Sequence, residues 1–326
     1  MRDLMCRTCG NQLAFENSAC LRCGADLAYD PDLRGFRSVD PAADAPVVCA
    51  NRSIAGCNWI SWSGSPSGLC RSCSLTRTRP RDDSPAMPAF GRAEAAKRRL
   101  IVELTALGLP ITDRISSPSG LAFDLLSSAE ESVVTGHANG VITLDLAEGD
   151  DVHREQLRVA MDEPYRTLLG HFRHEIGHYY FTVLVLYDEQ RWARFVELFG
   201  NPNEDYQEAI DRHYSEGAPQ GWESTHVSSY ATMHPAEDWA ETFAHYLHIR
   251  DTLDTAAAFA MAPSGAVADR HVPGDAAFRR IIALWVPLTW SLNMINRSMG
   301  HPDLYPFVLP PAVLEKMSFV HQCVMG

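Results

Sequence analysis

The sequence predicts an α+β protein, with a small cysteine-rich module followed by a mainly helical domain that carries a short β-sheet. Three observations predict it. Eight of the nine cysteines fall between residues 6 and 73 and divide into two groups of four. Helical periodicity dominates 92–107 and most of 165–324. Between them, residues 121–145 change to the two-residue period of strands. The expected division is a module at 1–78, a linker at 79–91 and one large domain at 92–326.

The module opens with Cys6-x-x-Cys9-Gly10 and Cys20-x-x-Cys23-Gly24. A tight Cys-x-x-Cys turn points two thiolates at one ion, and the Gly supplies the positive φ that such a turn demands. Two of these turns ten residues apart make a tetrahedral four-thiolate site. Two pairs together, with no βαβ pattern around them, argue against a redox dithiol. Zinc is the expected ion, although iron also accepts four thiolates. Cys49, Cys57, Cys70 and Cys73 form the expected second site. The alternative there is that Cys49 or Cys57 is a buried free thiol. Trp59 and Trp62 are expected to cover the second site with apolar surface, which a small metal module needs in place of a core. Cys323 is left over as an isolated thiol.

Pro80, Pro85 and Pro88 mark the linker, and 92–107 reads as a helix stopped by Gly108 and Pro110. Segments 123–126, 132–135 and 141–145 read as strands, with a turn over 136–140. The last strand has the alternation of a half-exposed one, suited either to receive an extended peptide at a sheet edge or to form an ordinary hairpin. His137, on the turn, is a candidate substrate contact. A short helix is expected at 150–161, with Glu163-Pro164 opening the next.

That next helix carries His171-Phe172-Arg173-His174-Glu175-Ile176-Gly177-His178. Helical positions i and i+4 project about 40° apart, one turn above the other. His174 and His178 can therefore reach one metal ion, with Glu175 beside its open side to take a proton from water. A His171/His174 pair is geometrically possible, but only His174 and His178 bracket a carboxylate. His171 is expected to pack or to face substrate. Helices at 191–199 and 204–214 follow.

A second constellation lies at 225–250. Pro235 suits a first helical turn, after which Glu237 and Glu241 stack at i and i+4. A catalytic zinc ion usually takes three protein ligands and leaves a fourth position for water. Glu237 is the expected third ligand, and Glu241 the residue that binds the far nitrogen of a ligating histidine. The reverse assignment is the alternative. Asp238 projects about 100° away. His234, His245 and His248 read as a histidine-rich surface face. In the tail, 278–299 is an apolar helix interrupted at Pro287, and 312–324 is a last helix.

The 326 residues leave room for one large domain and one small one, and 46% are hydrophobic. Net charge is −13, yet residues 1–80 hold nine Arg against seven acids, so the acidity lies in the remainder. An acidic body without a basic stripe argues against a nucleic-acid partner. The longest apolar runs, 179–187 and 281–290, are too short to span a bilayer, so no membrane partner is expected. With no signal-like N-terminus, a cytoplasmic protein with reduced cysteines is expected.

His174-Glu175-x-x-His178 followed by Glu237-x-x-x-Glu241 resembles the gluzincin metallopeptidases. Tyr230-Ala231, with Glu237 seven residues after the tyrosine, and then Trp239-Ala240-Glu241, is similar to the anthrax lethal factor type. That likeness covers the two zinc helices. It implies that Glu237 is the third zinc ligand and that Tyr230 assists the tetrahedral intermediate. Along its length the chain also resembles a bacterial family of zinc-binding metallopeptidases with an N-terminal zinc ribbon. The likeness lies in the cysteine pairs, in 94–100, in Gly136-His137 with Asn139-Gly140, in 165–178 and in 230–248. It implies a zincin-like domain that hydrolyses a peptide or protein substrate. One catalytic and two structural zinc ions are expected. Two rivals remain: a zinc-ribbon scaffold with a degenerate zincin domain, and a zinc hydrolase acting on another amide.

Overall fold

The computed structural model describes residues 2–39, 47–62, 65, 67–130, 132–150, 167–263, 266 and 272–326. The chain divides into two compact units, one of residues 1–105 with 110–161 and the other of 106–109 with 162–326.

In the first unit the cysteine turns organise the chain. The amides of Gly10 and Gly24 donate to the carbonyls of Cys6 and Cys20, each at 2.8 Å. Their φ angles of +69° and +75° lie in the left-handed region that an L side chain resists. β1 (Leu4–Met5) pairs antiparallel with β2 (Gln12–Leu13), and β3 (Leu27–Asp30) with β4 (Gly35–Ser38). The short α1 (Arg52–Ala55) follows. Phe15, Phe36 and Trp59 pack around Tyr29 at centroid distances of 4.9, 5.8 and 5.4 Å. This aromatic knot is the module's apolar core. Trp59 is 1% exposed, but Trp62 is 38% exposed and covers little.

β5 (Thr76–Thr78) leaves Cys73 through one 3-10 turn and enters a four-stranded sheet of order β5-β6-β8-β7. β6 (Ala122–Leu126) runs parallel to β5 and to β8 (Val141–Asp145), and β7 (Gly136–Ala138) runs antiparallel to β8. α2 (Met87–Ala106) begins inside the expected linker. Its Glu94 and Lys97 form a fully buried ion pair of 2.6 Å. Thr76 of β5 donates to the same Glu94 oxygen at 2.5 Å and accepts from Lys97. Each buried charge thus has a further polar partner besides the other, which helps to offset the cost of burying them.

The sheet corrects two expectations. Residues 132–135 are not a strand; the strand is 136–138, within the expected turn. The turn itself is the two residues Asn139-Gly140, with φ of +47° and +80°. Two successive positive φ values match the right-handed strand twist, so a loop of this length suffices. His137 serves that turn, its Nε2 accepting from the Gly140 amide at 3.0 Å. β8 is paired on both sides and offers no free edge to a peptide. Asn139→Ala keeps the loop length but places an ordinary L residue in the left-handed region. It should lower the stability of the first unit by about 1 kcal/mol, measured by thermal unfolding.

The second unit is helical: α3 (Leu168–Leu184), α4 (Glu189–Phe199), α5 (Tyr206–Glu216), α6 (Pro235–Ala258), α7 (Asp275–Ser298) and α8 (Pro311–Met325). Side chains start four of them. Thr167, Asp188 and Asp205 accept from first-turn amides of α3, α4 and α5, and His234 does the same for α6 ahead of Pro235 at N1. The long α6 is buried along most of its length and packs against α3, α4, α7 and α8. Trp239 lies among Phe181, Phe195, Phe199, Phe243 and Phe319 at centroid distances of 5.9–6.1 Å. Pro287 does not interrupt α7; it sits on an exposed face, where the carbonyl it leaves unpaired can turn to water. The helix expected at 150–161, apart from Asp150, and the Glu163-Pro164 start expected for the next helix lie outside the described residues. Among the described residues no helix is long and apolar enough to cross a membrane.

Candidate metal centres

Three groups among the described residues have donor atoms that all lie within 4.8 Å of one another: Cys6, Cys9, Cys20 and Cys23; Cys49, Cys57, Cys70 and Cys73; and His174, His178 and Glu237. Thiolates ~2.3 Å from a tetrahedral ion stand ~3.8 Å apart. The observed Sγ–Sγ distances fit: 3.8 Å for Cys6–Cys23, 3.6 Å for Cys9–Cys20 and 3.7 Å for Cys57–Cys70. None of the nine cysteines is in a disulfide. At the second group the amides of Cys70 and Cys73 donate to Cys49 Sγ and Cys70 Sγ at 3.2 and 3.3 Å, which favours negative sulfur. Hydrogen bonds from Cys57, Cys70 and Cys73 hold the Cys49 thiol far below the ordinary thiol range. Cys73 Sγ lies 3.5 Å from Glu94 Oε2, so the buried pair on α2 touches this centre. Cys323 is buried on α8 and belongs to neither group.

The third group depends on how closely α3 and α6 approach. A Cβ on Gly177 would lie 2.9 Å from Ala240 Cα and 3.2 Å from Ala240 O, so only glycine allows the contact. Trp239 Nε1 donates to the Gly177 carbonyl at 2.9 Å and fixes the crossing. Within one turn of this contact, the polar side chains meet. His174 Nε2 is 2.9 Å from Glu237 Oε2, and His178 Nε2 is 3.4 Å from Glu237 Oε1. Nitrogen and oxygen ligands ~2.0–2.1 Å from a tetrahedral ion lie ~3.3–3.4 Å apart. These two separations are compatible with donors that share one zinc ion.

Glu241 faces the other nitrogen of His174, Nδ1, at 2.8 Å. Ser228 Oγ in turn donates to Glu241 Oε2 at 2.6 Å. Burial alone would lower the pKa of His174, but its hydrogen bonds to Glu237 and Glu241 outweigh burial and raise it well above the ordinary value. Burial would raise Glu241, yet His174 brings it down to about 2. Glu175 is buried, and among the described residues its Oε2 has no hydrogen-bond partner. An orphaned carboxylate oxygen is costly and calls for a reason. The Tyr230 ring lies 5.7 Å from that of His174. Burial, then Glu237, Tyr206 and Glu175, raise its hydroxyl, which stays protonated as a donor.

The other candidates are placed elsewhere. His171 is half-buried on α3 and outside the three-residue group. Asp238 turns away to Lys316, 2.5 Å distant. His234, His245 and His248 are not a surface face. His234 and His245 are buried and His248 is partly so. His234 caps α6, His245 Nδ1 meets the Tyr305 hydroxyl at 2.7 Å, and Arg173 donates to His248 Nδ1 at 2.6 Å. Sequence reasoning missed Gly177, Ser228 and Tyr206, whose hydroxyl donates to Glu237 Oε1 at 2.9 Å. A glycine in mid-helix, where it costs about 1 kcal/mol against alanine, was the one available signal.

Residues 86–323 match a family model described as "Putative zinc-binding metallo-peptidase", and residues 3–84 match a zinc-ribbon domain. The uncharacterized proteins Rv2568c of Mycobacterium tuberculosis and Mb2598c of Mycobacterium bovis are each 62% identical over 326 residues, covering 99% of this chain and 95% of theirs. No solved structure gives a significant match. The chain therefore belongs to this metallopeptidase family and carries the zinc-ribbon domain in front of it.

Proposed function

We propose that the chain is a zinc-dependent peptidase in which His174, His178 and Glu237 hold the catalytic ion and Glu175 is the general base. One observation carries the reading. Three donor atoms from two helices converge beside a buried carboxylate whose Oε2 has no hydrogen-bond partner among the described residues. Glu237 is assigned as ligand because it faces the Nε2 atoms of both histidines. Glu241 is assigned to hold His174 Nδ1–H, which leaves Nε2 for the metal.

A bound zinc ion supplies a Lewis acid that acidifies water towards a pKa of ~7 and polarises the scissile carbonyl. Glu175 takes the proton from the attacking water at Oε2 and later delivers it to the leaving amine. Tyr230 donates its hydroxyl to the carbonyl oxygen as that atom gains charge, a contribution of ~10²–10³ in rate for donors of this kind. Two neutral imidazoles and one carboxylate contribute a single negative charge, so a divalent ion held by His174, His178 and Glu237 would remain a Lewis acid.

The two cysteine groups each hold a structural zinc ion, so the loaded chain carries three. The proposed boundary between ribbon and peptidase domain lies in the 79–91 linker, a reading supported by family matches that end at 84 and begin at 86. A cytoplasmic location would keep the cysteines reduced for this purpose. Incubating the zinc-loaded protein with a peptide library should give cleavage that a chelator abolishes and added zinc restores. A chain holding three zinc ions that cleaves no peptide bond would sink the peptidase reading.

A further inference from the structure

Glu237 has two carboxylate oxygens, and their partners are not equivalent. Oε2 lies 2.9 Å from His174 Nε2; Oε1 lies 3.4 Å from His178 Nε2 and also accepts from the Tyr206 hydroxyl at 2.9 Å. A carboxylate that bound an ion through both oxygens would occupy two coordination positions. The position left for water depends on its using one.

The delivery of Tyr206 is built in some detail. It is the first residue of α5, placed there by Asp205, whose side chain accepts from the Glu208 amide at 2.9 Å. Its ring lies edge-on to His234 at 5.2 Å. His234 Nδ1 accepts from the Ala236 amide at 3.1 Å, and its Nε2 donates to the Glu204 carbonyl at 3.3 Å. One imidazole thus ties the start of α5 to the start of α6. The hydroxyl and the carboxylate are carried by the two tied ends. At 44% exposed, Tyr206 is not explained as core packing.

We infer that Tyr206 is a positioning residue of the metal centre, its hydroxyl holding one oxygen of Glu237 so that the other alone binds the ion. The inference rests on the assignment of His174, His178 and Glu237 as ligands. Tyr206 acts through Glu237, and its effect is on metal affinity and coordination. Loss of an outer hydrogen bond of this kind typically weakens a metal site 10- to 100-fold.

The test is a zinc titration against a competing chelator on the full chain, for wild type, Tyr206→Phe and Tyr214→Phe. Phenylalanine keeps the ring on His234, and thermal unfolding checks that the fold is retained. Tyr214, 65% exposed on the same helix, is the control. Tyr206→Phe should bind the third zinc ion ~10-fold more weakly, hold the two cysteine-bound ions as wild type does, and regain hydrolysis as free zinc is raised. Tyr214→Phe should match wild type. Equal affinity of Tyr206→Phe and wild type for the third ion would overturn the role given to Tyr206. Wild type binding only two ions would overturn the metal assignment itself, and this inference with it.

Discussion

Glu175→Gln is expected to keep all three zinc ions and lose peptide hydrolysis by a factor of ~10²–10⁴. Glutamine has the same shape and fits the same buried space, but its amide cannot take a proton from water. Glu175 is not among the three grouped donors, so metal content should not change. The stability effect should run opposite to the activity effect. Glu175 is 6% exposed with Oε2 unpartnered among the described residues, and a buried polar oxygen without a partner opposes folding. Replacing it by a neutral amide should leave the unfolding midpoint equal or higher, the trade expected where function retains an unfavourable group. The measurements are kcat/KM on a cleaved peptide, zinc content and thermal unfolding of the same preparation. Wild-type kcat in the glutamine variant would show that some other group takes the proton.

Much of the site was legible because its spacing is local. Helical geometry alone put His174 and His178 on one face and Glu237 one turn before Glu241. The two cysteine turns were readable for the same reason, since Cys6-x-x-Cys9-Gly10 fixes its own shape. What was not legible arrives through tertiary contact. Ser228 and Tyr206 reach Glu241 and Glu237 from a loop and from the start of another helix, and nothing in their own neighbourhoods marks them. His234, His245 and His248 looked like a polar face because sequence shows polarity but not partners. Each finds its partner far along the chain or in a cap. The strand at 136–138 was lost for a smaller reason. His137 and Asn139-Gly140 read together as one five-residue turn, whereas positive φ at Asn139 and Gly140 lets two residues do the work.

Gly177→Val should do more damage than any other single change in the α3–α6 crossing. Even a bare Cβ at this position would sit 2.9 Å from the Ala240 backbone, and backbone cannot rotate away as a flexible side chain does. Valine adds two methyl groups beyond that Cβ. Removing a mid-helix glycine returns about 0.5–1 kcal/mol at most for alanine, and less for a β-branched residue. Overpacking costs about 1–3 kcal/mol and more where the neighbour cannot yield, so the loss wins. The helices can relieve the clash only by moving apart, and that movement also breaks the 2.9 Å bond from Trp239 to the Gly177 carbonyl. His174 and His178 ride on one helix and Glu237 on the other, so separation should open the metal centre as well as loosen the core. The expected result is a fall in the unfolding midpoint of several degrees, with the third zinc ion lost and the two cysteine-bound ions kept. A valine variant that binds three ions and unfolds like wild type would mean that the close approach at Gly177 does not hold the two halves of the site together.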